Sequence, residues 1–139
     1  MKILAVDFGD ARTGLAVCDK GELIASPLCV IADHNRARVI EKILEAAKEQ
    51  RIEQIVVGNP INMNGTAGPR SELCHEVAAE LREKSGLPVE MWDERSTTVS
   101  AINILNQTDV RGKKRKAVID AVAAVLILES YMAYRKNHR

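Results

Sequence analysis

Three acidic residues, Asp7, Glu94 and Asp120, are the side chains of this sequence best placed for chemistry. Asp7 closes the apolar run 3–6, and Glu94 follows a short predicted strand, 89–92, after one intervening acid. If both runs are strands of one sheet, these carboxylates lie at the rim where ligands of α/β proteins bind. An acid that closes a strand is also a common turn former, so Asp7 alone does not establish a site.

Asp120 lies within the segment 116–128, which is apolar almost throughout and predicts a heavily buried helix. A carboxylate in such a helix carries a desolvation cost unless something compensates it. Two explanations stay open. The helix N-terminus, with Lys116 one turn earlier, stabilises the charge, or a metal cation is shared with Asp7 and Glu94.

Three carboxylates at one rim suit a hard divalent cation such as Mg²⁺ or Mn²⁺, which takes oxygen ligands. Two such ions about 4 Å apart can activate a water and stabilise the leaving oxygen in phosphodiester hydrolysis. The sequence has no Cys/His spacing typical of zinc, no nucleophilic Ser or Cys motif and no P-loop. Its histidines are scattered: His34, His75 and His138.

The elements that must position the acids begin with the run 3–6, which predicts a strand covered on both faces. Residues 12–18 return as a second strand, and the connecting loop is too short for a parallel crossover, so the pair is predicted to be an antiparallel hairpin. The next predicted elements are a strand over 23–32, with Pro27 at a bulge or edge, and a helix capped by Asp33 or Asn35. A strand over 52–58, a helix from Pro69 to Gly86 and a strand over 89–92 follow. The last predicted elements are a helix after residues 96–98, a basic loop over 107–116 and a final helix over 117–134.

This order predicts an α/β fold in a single domain over residues 1–139. A three-strand meander followed by right-handed βαβ units gives a five-stranded mixed sheet with helices on both faces. The predicted strand order is 3-2-1-4-5, with strand 2 antiparallel, so that strand 1 is central. Asp7, Gly58 and Glu94 then fall at the carboxyl ends of the three neighbouring strands.

The composition is that of an ordinary soluble domain, with 46% hydrophobic and 28% charged residues and a net charge of +1. With only 3% aromatic residues, the sequence favours recognition of nucleic acid through phosphates and shape over stacking of unpaired bases. Asp7 interrupts the apolar start before a secretory signal could form, and the longest apolar run, 121–128, is too short to span a bilayer. We therefore expect a soluble cytoplasmic protein with no membrane partner, whose cysteines are reduced thiols in or near the core: Cys18, Cys29 and Cys74.

Several polar residues near the predicted rim are candidates for nucleic-acid contact. Arg12 either binds a phosphate or anchors the hairpin against Asp10, and Arg95 either holds a phosphate bidentately or forms a salt bridge. Asn62 lies in a polar rim loop. A basic stretch just before the final helix is either a solvated face or a phosphate-binding flap with Gly112 as its hinge: Arg111, Lys113, Lys114, Arg115 and Lys116.

Four segments, 7–14, 58–65, 92–98 and 114–124, resemble in order the motifs of the YqgF family. This bacterial family is described both as pre-16S rRNA nucleases and as Holliday-junction resolvases, and the resemblance implies an RNase H-like fold. It also implies that Asp7, Glu94 and Asp120 are the catalytic, metal-binding acids. One position departs from the family: Asn59 stands where an apolar residue is usual.

The resemblance implies a Mg²⁺- or Mn²⁺-dependent nuclease that acts on structured RNA in maturation of the 5′ end of pre-16S rRNA, with ribosomal particles as further partners. The alternative enzyme is a resolvase of branched DNA, which needs two active sites and hence a homodimer. A nucleotide-binding ATPase opening with a similar Asp-x-Gly hairpin would need a second lobe, for which 139 residues are too few. A non-catalytic ribosome-assembly factor would keep the basic stretch and tolerate loss of the acids.

Overall fold

A computed structural model describes residues 1–22, 24–60, 68–93 and 112–137, of which 112–121 are described by their backbone alone. The chain opens with the predicted antiparallel hairpin. Strand β1 (Ile3–Asp7) pairs with β2 (Arg12–Cys18), and Asp7 lies opposite Gly14. Ile3 to Val6 are fully buried, because both faces of β1 are covered.

The remaining described elements follow the predicted order. They are β3 (Ala25–Ala32), α1 (Arg36–Glu49), β4 (Gln54–Asn59), α2 (Pro69–Ser85), β5 (Val89–Asp93) and α3 (Gly112–Asn137). The sheet order is β3-β2-β1-β4-β5, with β4 parallel to both β1 and β5 and β2 antiparallel to its two neighbours. The predicted topology is confirmed.

Two apolar cores lie on opposite faces of the sheet. Leu4 and Val6 of β1 pack with the buried faces of α1 and α2, whereas Ile3 and Ala5 pack with α3. This division follows from the alternation of side chains along a strand. Helices on both faces are therefore confirmed. Within the described ranges, no helix is long and apolar enough to cross a membrane.

The ends of α1 and α2 follow the capping residues in the sequence. Asn35 caps α1, because its side-chain oxygen accepts a hydrogen bond from the Arg38 amide at 3.0 Å. Hydrogen bonds from the Arg38 guanidinium and the Asn35 amide hold the pKa of Asp33 well below its usual range. Pro69 begins α2, and Gly86 ends it with a positive φ of 71°.

Strand β3 is an edge strand, as Pro27 indicated. The β2–β3 register shifts between Leu15, opposite Cys29, and Ala16, opposite Pro27, so the predicted bulge is also present. The expectation that all three cysteines lie in or near the core is wrong for Cys29. It lies on this edge strand and is exposed, whereas Cys18 and Cys74 are buried.

The basic loop predicted to extend to Lys116 is wrong over its last five residues. Helix α3 begins at Gly112 rather than near Ala117, so Lys113, Lys114, Arg115 and Lys116 belong to its first turns. Lys and Arg are good helix formers, and their charges do not prevent a helix from extending in the amino-terminal direction. Residues 112–116 are therefore part of a helix and do not form the predicted flap hinged at Gly112. The helix predicted after residues 96–98 lies outside the described residues.

The β1–β2 turn requires glycine at position 9. A Cβ atom on Gly9 would overlap the backbone carbonyl oxygen of Arg12, which is part of β2 and cannot rotate away. We expect Gly9→Ala to lower the free energy of unfolding by about 2–3 kcal/mol, measured by urea titration.

Gly86→Ala is the matched control, because its Cβ would meet nothing within 4 Å. Its cost comes only from the left-handed backbone and is expected to be about 1 kcal/mol. A loss of stability for Gly9→Ala no larger than that for Gly86→Ala would contradict the steric explanation.

Candidate active site

Asp7 lies at the carboxyl end of the central strand and is half-buried. Since Ile3 and Ala5 pack against α3, alternation along β1 directs Asp7 to the same face of the sheet. The predicted placement of Asp7 at the rim is therefore present in the structure. Asp7 is the first residue of β1 whose side chain the apolar core does not enclose.

The carboxyl ends of β4 and β5 lie next to that of β1. Val6 is paired with Val57, and Asn59 is paired with Asp93. Asp93 lies on the opposite face of β5 from Trp92, which packs with α3. Asp7 and Asp93 therefore share the rim but point to different faces of the sheet. Glu94, the predicted third acid of this rim, lies outside the described residues.

The turn after Asp7 is held by a residue that the sequence did not single out. Arg70, in the first turn of α2, donates from Nη2 to the Phe8 carbonyl oxygen at 3.0 Å. Its Nη1 pairs with Asp10 Oδ2 at 3.1 Å. No sequence motif marks the cationic residue next to Pro69. Arg70 is recognised only in the folded structure, where α2 lies close to the β1–β2 turn. Arg70 thus ties the first turn of α2 to the turn that follows Asp7.

This ion pair corrects one reading of Arg12. The sequence left open that Arg12 anchors the hairpin against Asp10, but within the described ranges Asp10 pairs with Arg70. Arg12 begins β2 and is half-buried, with Ala32 opposite. It therefore lies at the same rim as Asp7, two residues before the Gly14 that faces Asp7.

Position 120 lies in α3, on the face of the sheet toward which Asp7 points. It is one helical turn before Ala124, whose side chain is fully buried in the same core as Ile3 and Ala5. The side chain of Asp120 is outside the described part of the chain, as are those of four predicted phosphate ligands: Lys113, Lys114, Arg115 and Lys116. Three others lie outside the described residues altogether: Asn62, Arg95 and Arg111.

Among the described side chains, no group of three or more His, Cys, Asp or Glu residues forms a metal cage. Two of the three predicted ligands, Glu94 and Asp120, are not among these side chains. The predicted acidic set therefore stays a prediction, of which the structure describes the Asp7 carboxylate and the helix backbone at position 120.

A family model described as "RuvX: Holliday junction resolvase" matches residues 1–134. The chain belongs to this family. RuvX is the family also called YqgF, so the resemblance of the four sequence motifs is confirmed, and with it the nuclease class.

Curated relatives of this RuvX chain match it over nearly its whole length. A protein of Carboxydothermus hydrogenoformans named "Putative pre-16S rRNA nuclease" is 41% identical over 99% of this chain and 100% of its own. A Bacillus cereus protein of the same name is 43% identical over 95% of this chain and 98% of its own.

Solved structures confirm the RNase H-like fold. RuvC of Thermus thermophilus superposes with a TM-score of 0.61 at 17% identity, over 99% of this chain and 97% of that one. The Holliday junction resolvase of fowlpox virus also gives a TM-score of 0.61, at 16% identity, over 97% of this chain and 99% of that one. At these identities the likeness concerns the fold alone.

The departure of this RuvX chain at Asn59 has a structural counterpart in α2. Asn59 is only 9% exposed, and its Oδ1 accepts a hydrogen bond at 2.6 Å from Oγ of Ser71, which is fully buried. A buried amide is costly unless its hydrogen bonds are made. Ser71 supplies one of them, so the end of β4 is bonded to the first turn of α2 at the rim.

We expect Ser71→Ala alone to lower the free energy of unfolding by about 1–3 kcal/mol, because it leaves Asn59 Oδ1 buried without this donor. Replacing both partners with apolar residues, as in Asn59→Val with Ser71→Ala, should recover most of that loss. A double-mutant cycle by urea unfolding measures the coupling. Additive effects of the two substitutions would contradict the buried pair.

Proposed function

We propose that this chain is a divalent-metal-dependent nuclease that hydrolyses phosphodiester bonds in the precursor of 16S rRNA, in maturation of its 5′ end during ribosome biogenesis. The observation that carries the proposal is the position of Asp7. It ends the central strand on the sheet face covered by α3, and α3 carries the second acid, Asp120. The choice of RNA is supported by the names of the full-length relatives.

The donor set fits Mg²⁺ or Mn²⁺, because every proposed ligand is a carboxylate: Asp7, Glu94 and Asp120. In the sequence Glu94 directly follows Asp93, the last residue of β5. A bound divalent ion supplies a water of lowered pKa and neutralises charge on the phosphate. The protein contributes the rigid strand end that fixes Asp7.

A set of cationic and polar residues would bind the substrate phosphates. Arg12 lies at the start of β2, beside the end of β1, and is the described member of the set. The others proposed for phosphate or sugar contact are Asn62, Arg95, Arg111, Lys113, Lys114, Arg115 and Lys116. Helical residues 113–116 would present their charges from the first turns of α3, in place of the flap expected from the sequence. Such contacts position the substrate without reading its sequence.

A second candidate function is resolution of four-way DNA junctions, which the family description favours. Cutting two strands symmetrically requires two active sites, so this function would need a homodimer. A non-catalytic role on ribosomal particles is the third reading, and it predicts that the rim acids are dispensable.

The acids are tested by cleavage of a labelled pre-16S rRNA fragment and of a four-way DNA junction, each with Mn²⁺, Mg²⁺ or EDTA. We expect metal-dependent cutting of the RNA, and a loss of at least about a hundredfold in rate for Asp7→Asn and for Asp120→Asn, because each removes a carboxylate ligand of the proposed cation, whose charge would stabilise the reacting phosphate. Urea unfolding of both variants should show an intact fold.

Asp19→Asn is a charge-matched control at the opposite end of the sheet, in the turn after β2. It should cleave within a few-fold of the unmodified protein. Full activity in Asp7→Asn would contradict the proposed site, and cutting of the junction alone would establish the resolvase reading instead. Metal-independent binding of ribosomal particles without cleavage would favour the non-catalytic role.

A further inference from the structure

Three of the few aromatic residues of this chain pack together beside β5. The chain has one Trp, two Tyr and one Phe, and the cluster contains the Trp and both Tyr. The ring centroids of Trp92 and Tyr131 are 5.4 Å apart in an edge-to-face arrangement, and those of Trp92 and Tyr134 are 5.3 Å apart and tilted by 55°. Tyr131 and Tyr134 are 6.5 Å apart. We call these three residues the aromatic cluster.

Hydrogen bonds fix the inner part of the aromatic cluster. Tyr131 is buried, and its hydroxyl accepts a hydrogen bond from Gln54 Nε2 at 2.5 Å. Burial, with a further contribution from the nearby Glu90 carboxylate, raises the pKa of Tyr131. Trp92 donates from Nε1 to Ser130 Oγ at 3.0 Å, which sets the orientation of the indole. Tyr131 is therefore the buried residue of the cluster against which the rings of Trp92 and Tyr134 pack.

The outer part of the cluster reaches the surface. Tyr134 is 45% exposed, and Trp92 is half-buried. Among the described large apolar side chains, the only other exposed one is Ile24, at 66%, beside the opposite edge strand β3. Tyr134 and Trp92 thus offer aromatic surface in a fixed geometry, because Tyr131 and Ser130 hold them from below.

Trp92 brings the aromatic cluster to the level of the candidate active site. Trp92 directly precedes Asp93 at the rim, and its side chain lies on the same face of the sheet as Asp7. Only β4 lies between β1 and β5, so the two backbones are separated by about 10 Å at this level. A strand bound at the rim could therefore extend over β5 to the aromatic cluster.

We propose, on the basis of the proposed function, that Trp92 and Tyr134 form a stacking surface for an unpaired nucleobase of the substrate. Every base has a π-face, so such a surface binds single-stranded nucleic acid with little sequence preference. Stacking also needs no strongly basic field, which agrees with the net charge of only +1.

The other occupant considered is a second copy of this chain, because β5 is an edge strand of the described sheet and aromatic residues are frequent in protein interfaces. The nucleobase is favoured because Trp92 lies at the level of Asp7, on the same face of the sheet. The environment of Trp92 distinguishes the two occupants. It should change with added nucleic acid if a nucleobase binds, and with protein concentration if a second copy binds.

Trp92 is the single tryptophan of the chain, so its fluorescence reports on this surface without background from other tryptophans. We would titrate the full chain, in EDTA so that no cleavage occurs, with a short single-stranded RNA. The same sugar–phosphate chain without bases is the ligand control, and free tryptophan corrects for absorption by the RNA. We expect the RNA to quench Trp92 and the abasic chain to leave it almost unchanged.

Tyr134→Ala should weaken RNA binding by about fivefold or more, the lower end of base–aromatic stacking. Tyr134→Phe keeps the ring and should bind as the unmodified protein does. Ile24→Ala is the matched control, since it removes an exposed apolar side chain from the other edge of the sheet. Urea unfolding should show that all three variants remain folded.

Equal quenching by RNA and by the abasic chain would overturn the inference in favour of phosphate contact. Emission that changes with protein concentration, together with dimers in sedimentation, would assign the surface to a second copy. No change of emission at millimolar RNA would also overturn it. Cleavage with no stacking contradicts only this inference, whereas stacking with no cleavage contradicts only the nuclease function.

Discussion

The burial of β1 on both faces is the constraint on which the rest of the structure depends. Its four apolar residues, Ile3 to Val6, have no accessible surface, which is stable only if one layer covers each face of the sheet. Helices α1 and α2 cover one face and α3 covers the other. A charged residue can follow only where the strand leaves both cores. The position of Asp7 is thus a consequence of the core, and its proposed chemistry uses a place that the fold keeps rigid.

The first turn of α2 connects the strand ends around Asp7. Arg70 bonds to the turn after β1, and the next residue, Ser71, bonds to Asn59 at the end of β4. One helix terminus therefore holds two of the three neighbouring strand ends. Asn59 and Ser71 thus join this junction through a directed, buried hydrogen bond. Such a bond specifies a position more narrowly than apolar contact, at the cost of requiring both partners.

The sheet order was predictable because each strand carries either a continuous apolar run or a clear turn, and short loops leave few topologies. The helix ends were predictable where Asn35, Pro69 and Gly86 supplied local signals. The start of α3 was not, because a run of Lys and Arg suits a helix as well as a solvated loop. Arg70 was also not predictable, since its partners are about sixty residues away in the chain. Local patterns do not encode such pairings.

On composition alone, the low aromatic content favours phosphate contacts over stacking. A percentage describes how many rings a chain has, whereas recognition depends on where they lie, and here the Trp and both Tyr lie on one side of the sheet. Trp92 and Asp93 are neighbours at the end of β5. Because side chains alternate along a strand, Trp92 lies on the α3 face of the sheet and Asp93 on the other face. Phosphate contacts lose strength as salt rises, because binding releases counterions. In a chain with a net charge of +1, the proposed stacking on Trp92 and Tyr134 would add a contact that does not depend on charge.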